Sequence, residues 1–117
     1  MRESSSQKHI WKRASELGAR LFRNNVGAFQ DKDGRWIQFG VFGKGGHDLV
    51  GWLPVVITQE HVGKTIAQFL TVECKGARGR PTKDQLRVMA MVQKAGGISG
   101  VASTIKEVED IILGVAK

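Results

Sequence analysis

Thr65-Ile-Ala-Gln-Phe-Leu-Thr-Val-Glu-Cys-Lys75 is the stretch on which the fold turns, and it runs on through Gly76-Ala-Arg-Gly-Arg-Pro-Thr-Lys-Asp-Gln85. Ile66, Leu70, Val72 and Cys74 alternate with Ala67, Phe69, Thr71, Glu73 and Lys75, which predicts a strand over 65–75. Gly76–Pro81 reads as a loop carrying Arg78 and Arg80. Thr82 is placed to cap a helix over 82–95, and Gly96-Gly97 stops it. Ile98–Ala102 reads as a short buried strand. Thr104 with Glu107 forms a capping-box pattern, opening a last helix whose Val108, Ile111, Ile112 and Val115 are expected to face the core.

On the N-terminal side, Ile10, Ala14, Leu17 and Leu21 recur at helical spacing and predict a helix over 7–23, with Ser4–Ser6 as N-cap candidates. Lys8, Lys12, Arg13, Glu16, Arg20 and Arg23 would share its opposite, basic arc, and Asn24-Asn25 would end it. Residues 26–30 and 35–39 flank Asp31-Lys-Asp-Gly34, a hairpin signal. A calcium loop at Asp31 and Asp33 lacks the later carboxylates it would need. Gly40, Gly43, Gly45, Gly46 and Gly51 surround a predicted strand at 47–52; no Ser or Thr follows Lys44, so this is no Walker loop. The mixed order of helices and strands predicts a single α/β domain spanning 1–117, with helices flanking one central mixed sheet.

Composition narrows the function classes. With one cysteine, Cys74, and three scattered histidines, an internal disulfide is impossible and a four-ligand zinc site has no ligand set. No apolar run reaches the roughly 20 residues of a membrane span, and residues 1–9 hold no apolar stretch of signal-peptide type, so a cytoplasmic, non-membrane protein is expected. The net charge of +7 is carried by residues 1–94, because 95–117 hold two lysines against three acidic residues. A basic body of this kind predicts a polyanionic partner.

The chemistry concentrates in Asp48, Glu73-Cys74-Lys75 and Gln85. Glu73 and Lys75 stand two apart on a strand, so both point to one face at the strand's end. Two carboxylates can hold Mg²⁺ through hard oxygen ligands, and a neighbouring lysine can orient water and offset charge in phosphodiester hydrolysis. A Glu-x-Lys alone far more often describes an exposed ion pair, and Thr82-x-x-Gln85 is equally a capping box.

The whole pattern resembles the PD-(D/E)XK nucleases, and within them the VRR-NUC branch, the virus-type replication-repair nucleases. Gly45-Gly-His-Asp48-Leu-Val-Gly51, Val72-Glu-Cys-Lys-Gly76 and Arg78-Gly-Arg-Pro-Thr-Lys-Asp-Gln85 carry the resemblance, which covers about residues 5–115. It implies a restriction-endonuclease-like αβββαβ core and a Mg²⁺- or Mn²⁺-dependent endodeoxyribonuclease. Asp48, Glu73 and the backbone carbonyl of Cys74 would be the metal ligands, with the Cys74 side chain packed in the core. Lys75 would be the catalytic lysine, and Gln85 would assist at the site. His47 stands where the superfamily often has proline, and reads as a structural histidine pointing away from Asp48. Gln7 falls where the family has a first-helix glutamate and is the first helix's candidate contribution, while Glu3 and Glu16 are the other acidic or amide candidates there.

Arg78, Arg80, Lys83 and Arg87, with Lys94 beyond, form the expected nucleic-acid track; Trp11, Trp36 and Trp52 divide between core packing and base stacking. The resemblance further implies branched DNA, Holliday-junction-like, as substrate, a homodimer, and a phage or prophage protein. Two alternatives stand beside it: a non-catalytic basic nucleic-acid-binding module, and a nuclease for flaps, nicks or single strands.

Overall fold

The computed structural model describes residues 3–114, with side chains from residue 5, and its chain divides into two compact units, Met1–Val55 and Val56–Lys117. The described residues form an α/β protein with three α-helices and three two-stranded sheets, two antiparallel and one parallel. Three ladders thus stand where one continuous sheet was expected.

In the first unit, α1 (Glu3–Glu16) leads into β1 (Arg20–Arg23), β2 (Gly27–Gln30), β3 (Trp36–Phe39) and β4 (Leu49–Trp52). The helix predicted over 7–23 ends seven residues early. Gly18 takes φ +99°, its N–H donates to Ser15 O at 3.0 Å, and Ala19 N–H reaches back to Ala14 O at 3.0 Å. This is a Schellman stop, which glycine adopts without the Cβ penalty. Arg20 and Arg23 therefore belong to a strand, and the basic helical arc is broken there. Ser4–Ser6 lie inside α1 and not ahead of it; the side chains of Glu3 and Ser4 fall outside the described residues.

β1 pairs antiparallel with β4, Arg23 opposite Leu49 and Leu21 opposite Gly51. Trp52 packs on Phe22 with ring centroids 5.4 Å apart. β2 and β3 form the expected hairpin. Asp31 N–H donates to Arg35 O and Gly34 N–H to Asp31 O, with Gly34 at φ +82°, the three-residue turn that a left-handed glycine closes. The Asp31 carboxylate is spent on the N–H groups of Asp33 and Arg35 and on the Arg35 guanidinium, which also pairs Asp33, so the acidic turn closes on itself.

In the second unit, a 3-10 turn (Gln59–His61) precedes β5 (Leu70–Cys74), α2 (Lys83–Lys94), β6 (Ile98–Ala102) and α3 (Ile105–Leu113). β5 and β6 run parallel, Leu70 opposite Ile98 through Cys74 opposite Ala102. The strand predicted from 65 begins only at Leu70, because its partner is five residues long and is entered from the Gly96-Gly97 turn. The α2 helix packs its Val92 side against the sheet, and Val92 is 1% exposed. Ile111 of α3 lies over Gly100, where an added Cβ would come within 2.7 Å of its Cδ1. Ile112 is exposed, contrary to expectation, and Val115 lies outside the described residues. No helix among the described residues is long and apolar enough to cross a membrane.

Candidate functional site

The residues singled out in sequence fall into two groups, each inside one unit. In the second unit, Lys75 Nζ lies 3.4 Å from Glu73 Oε2, with side chains 19% and 36% exposed. Strand alternation puts both on the face that carries Thr71, whose hydroxyl lies 2.6 Å from that of Ser99. Thr71, Glu73, Ser99 and Val101 line one side of a cleft of about 280 Å³, and Gln85 and Met89 of α2 line the other.

Both readings of Gln85 bear on this cleft. Its N–H donates to Thr82 Oγ1 at 3.1 Å, and its Oε1 accepts from Thr82 N–H at 2.9 Å, a complete capping box. Its Nε2 makes no hydrogen bond among the described residues, so a donor remains in the cleft wall.

Cys74 departs from expectation: its side chain is exposed and not in the core. Its backbone carbonyl is left outside the ladder with β6. Ile98 N–H donates to Phe69 O and Lys75 N–H to Ala102 O, so the odd-numbered residues of β5 turn their polar groups toward β6. The Cys74 carbonyl consequently faces away from β6.

In the first unit, Asp48 is exposed and immediately precedes β4. Its position is set by Asn24, which sequence reading had assigned only to a helix end. Asn24 Nδ2 donates to Val41 O at 3.1 Å and His47 O at 3.0 Å, its Oδ1 accepts from Val41 N–H at 2.9 Å, and its own N–H donates to Asp48 O at 2.8 Å. The amide thus ties both ends of the Val41–His47 segment to the end of β1. Between those ends the chain turns twice, Gly43 N–H to Gly40 O and Gly46 N–H to Gly43 O. At Gly46 a Cβ would collide with Val41 O and at Gly40, φ +97°, with Asn25 O, which explains the glycines of the segment. His47 takes part through its carbonyl; its ring is exposed, and it lies ahead of the strand.

Asp48, Gln7 and Arg23 meet at a cleft of about 380 Å³ that Asn24, Asn25 and Gly46 also line. The first-helix candidate Gln7 is thereby brought to Asp48's cleft, while Glu16 is engaged by Arg13 at 3.5 Å. The basic track is solvent-facing throughout: Arg78, Arg80, Lys83 and Arg87 are exposed, with Arg87 3.7 Å from Asp84. Among the tryptophans, Trp36 is 70% exposed on the hairpin.

Among the described residues no group of three or more His, Cys, Asp or Glu side chains is arranged to hold a metal ion. The donors in question are hard oxygens, the Asp48 carboxylate in the first unit and the Glu73 carboxylate and Cys74 carbonyl in the second, and hard oxygens are the donor type that suits Mg²⁺ or Mn²⁺. Comparison with protein-family models, curated proteins and solved structures gave no match.

Proposed function

We propose that the chain is a Mg²⁺- or Mn²⁺-dependent endonuclease that hydrolyses DNA phosphodiester bonds on a restriction-endonuclease-like core. The observation that carries this reading is the Glu73–Lys75 pair, a carboxylate and an ammonium 3.4 Å apart at a strand end, with Glu73 on a cleft wall that Gln85 shares. Glu73 and the Cys74 carbonyl, in the second unit, would hold the metal, and Asp48, in the first, is the further carboxylate that the sequence resemblance assigns to it. Bound there, the cation would supply charge neutralisation at the phosphoryl oxygen and a more acidic water. Lys75, steadied by Glu73, orients the attacking water and offsets the negative charge that grows on the phosphate. Gln85 offers its remaining Nε2 donor to a phosphate oxygen, and Arg78, Arg80, Lys83 and Arg87 attract the backbone on either side.

Branched DNA is the proposed substrate, because the resemblance to stand-alone viral nucleases suggests it and a domain of this size has little surface for reading base sequence. Two symmetric cuts across a junction need two active sites, hence a homodimer. Such an enzyme would act in the cytoplasm of a phage-infected or prophage-carrying cell.

Labelled junction, flap and plain duplex incubated with Mg²⁺, Mn²⁺ or chelator test the proposal. Metal-dependent cleavage of the junction, lost in Asp48→Ala and Glu73→Ala, is the expected result. Binding without cleavage of any substrate under either metal overturns it in favour of a non-catalytic basic module.

A further inference from the structure

Sequence periodicity sets Arg23 on a helical basic face, remote in role from Asp48. The structure moves it. Arg23 closes β1 opposite Leu49, the residue after Asp48, and its neighbour Asn24 donates its N–H to Asp48 O at 2.8 Å. Arg23 and Asp48 consequently line the same cleft. Yet no ion pair joins them, and Arg23 has no carboxylate partner among the described residues. An arginine beside an aspartate and unpaired with it keeps all five donors of its fork. The other polar side chains of the wall, Gln7 and Asn25, are neutral amides able to donate, while Asn24 is committed to the glycine-rich segment.

We infer that this cleft is a phosphate-contact subsite, in which Arg23 binds a phosphodiester oxygen of a nucleic-acid backbone alongside Asp48. The inference rests on the reading of Asp48 as a metal ligand. A bare Asp48 carboxylate repels a phosphate; a divalent cation held there would reverse the sign and favour a phosphate in the cleft that Arg23 also lines. Arg23 then matches two phosphate oxygens in a plane, a geometry a lysine cannot copy. Its contribution to binding is therefore conditional on the cation, unlike that of Arg78 or Arg80 on an open surface.

The test measures binding of a labelled 20-base-pair duplex to the full chain in Ca²⁺ and in chelator, across a salt series. Arg23→Gln should weaken binding in Ca²⁺ by about tenfold and flatten the logarithmic salt slope by about one unit. In chelator its effect should fall below about twofold. Arg13→Gln, which removes an equal charge from α1 outside the cleft, should change affinity in Ca²⁺ by less than about twofold. Arg23→Lys should keep the salt slope and lose part of the affinity. Equal unfolding midpoints for the variants establish that the fold is kept. Wild-type affinity in Arg23→Gln, or equal losses in Arg23→Gln and Arg13→Gln, overturns the subsite. Wild-type cleavage by Asp48→Ala would show that Asp48 holds no metal, and this inference falls with it; if the wild-type protein cleaves no substrate in either metal while Arg23→Gln still loses Ca²⁺-dependent binding, the nuclease reading fails and the phosphate contact stands.

Discussion

Lys75 Nζ sits 3.4 Å from Glu73 Oε2 across two positions of a single strand. Parallel pairing with β6 holds both backbones in register, so the distance is set by the ladder as much as by the charges. The lysine side chain is the less accessible of the two, its stem lying beside Gly79 of the following loop and its head at the carboxylate. Under the proposed function, a group so held would meet a phosphate without first being ordered.

Lys75→Ala is expected to slow cleavage by several orders of magnitude while leaving metal affinity nearly unchanged. Lys75→Arg should also be poor, because a planar fork does not replace a compact ammonium. Full recovery of either variant at high Mn²⁺ would show that the lysine serves only to support the metal.

Gln85 offers a separation of roles. Gln85→Ala breaks the capping box and should cost about 1 kcal/mol in denaturant unfolding. Gln85→Glu retains an acceptor for the Thr82 N–H and should unfold near the wild-type midpoint, but it lacks the Nε2 donor. A several-fold slower cleavage by Gln85→Glu is expected; wild-type turnover would reduce Gln85 to a helix cap.

Asn24→Ala removes three side-chain hydrogen bonds from the segment ahead of Asp48. The expected loss is about 1–3 kcal/mol, limited because water can reach the exposed carbonyls. Asn24→Asp should be no better, since it turns a carboxylate toward two carbonyl oxygens. Chemical denaturation measures both, and an unchanged midpoint in either would refute the clamp.

Arg80→Ala and Arg87→Ala should each flatten the salt dependence of junction binding in Ca²⁺ by about one unit. Equal weakening on junction and duplex marks simple charge contacts, while selective weakening on the junction marks shape recognition. If neither variant moves the slope, the α2 face is only solvated.

Much of the second unit was legible because its signals are local. Thr82 and Gln85 bond to each other three residues apart at the start of α2, and Gly96-Gly97 follows its other end, so each signal lies beside the boundary it sets. The start of β5 was not legible: the length of a ladder belongs to both strands, and Ile98–Ala102 fixes it from 28 residues away. In the first unit, Leu21 continued a helical period that Gly18 had already ended, and the periodic signal outweighed a single glycine. Reading through it misassigned Arg20 and Arg23. Asn24 was invisible as a clamp because its partners, Val41 and His47, are 17 and 23 residues away. The Glu73–Lys75 adjacency was legible from strand alternation alone, whereas the company each proposed residue keeps in its cleft was not.

The exposed thiol of Cys74 gives this arrangement a practical handle. It is the chain's one cysteine, and alternation along β5 turns it to the face opposite Glu73 and Lys75. A maleimide dye attached there needs no engineered residue, labels every molecule at the same point, and grows from the reverse of the strand. The protein therefore carries its own attachment point for a fluorescent reporter, one residue from Glu73 and Lys75, where the proposed function would place the substrate.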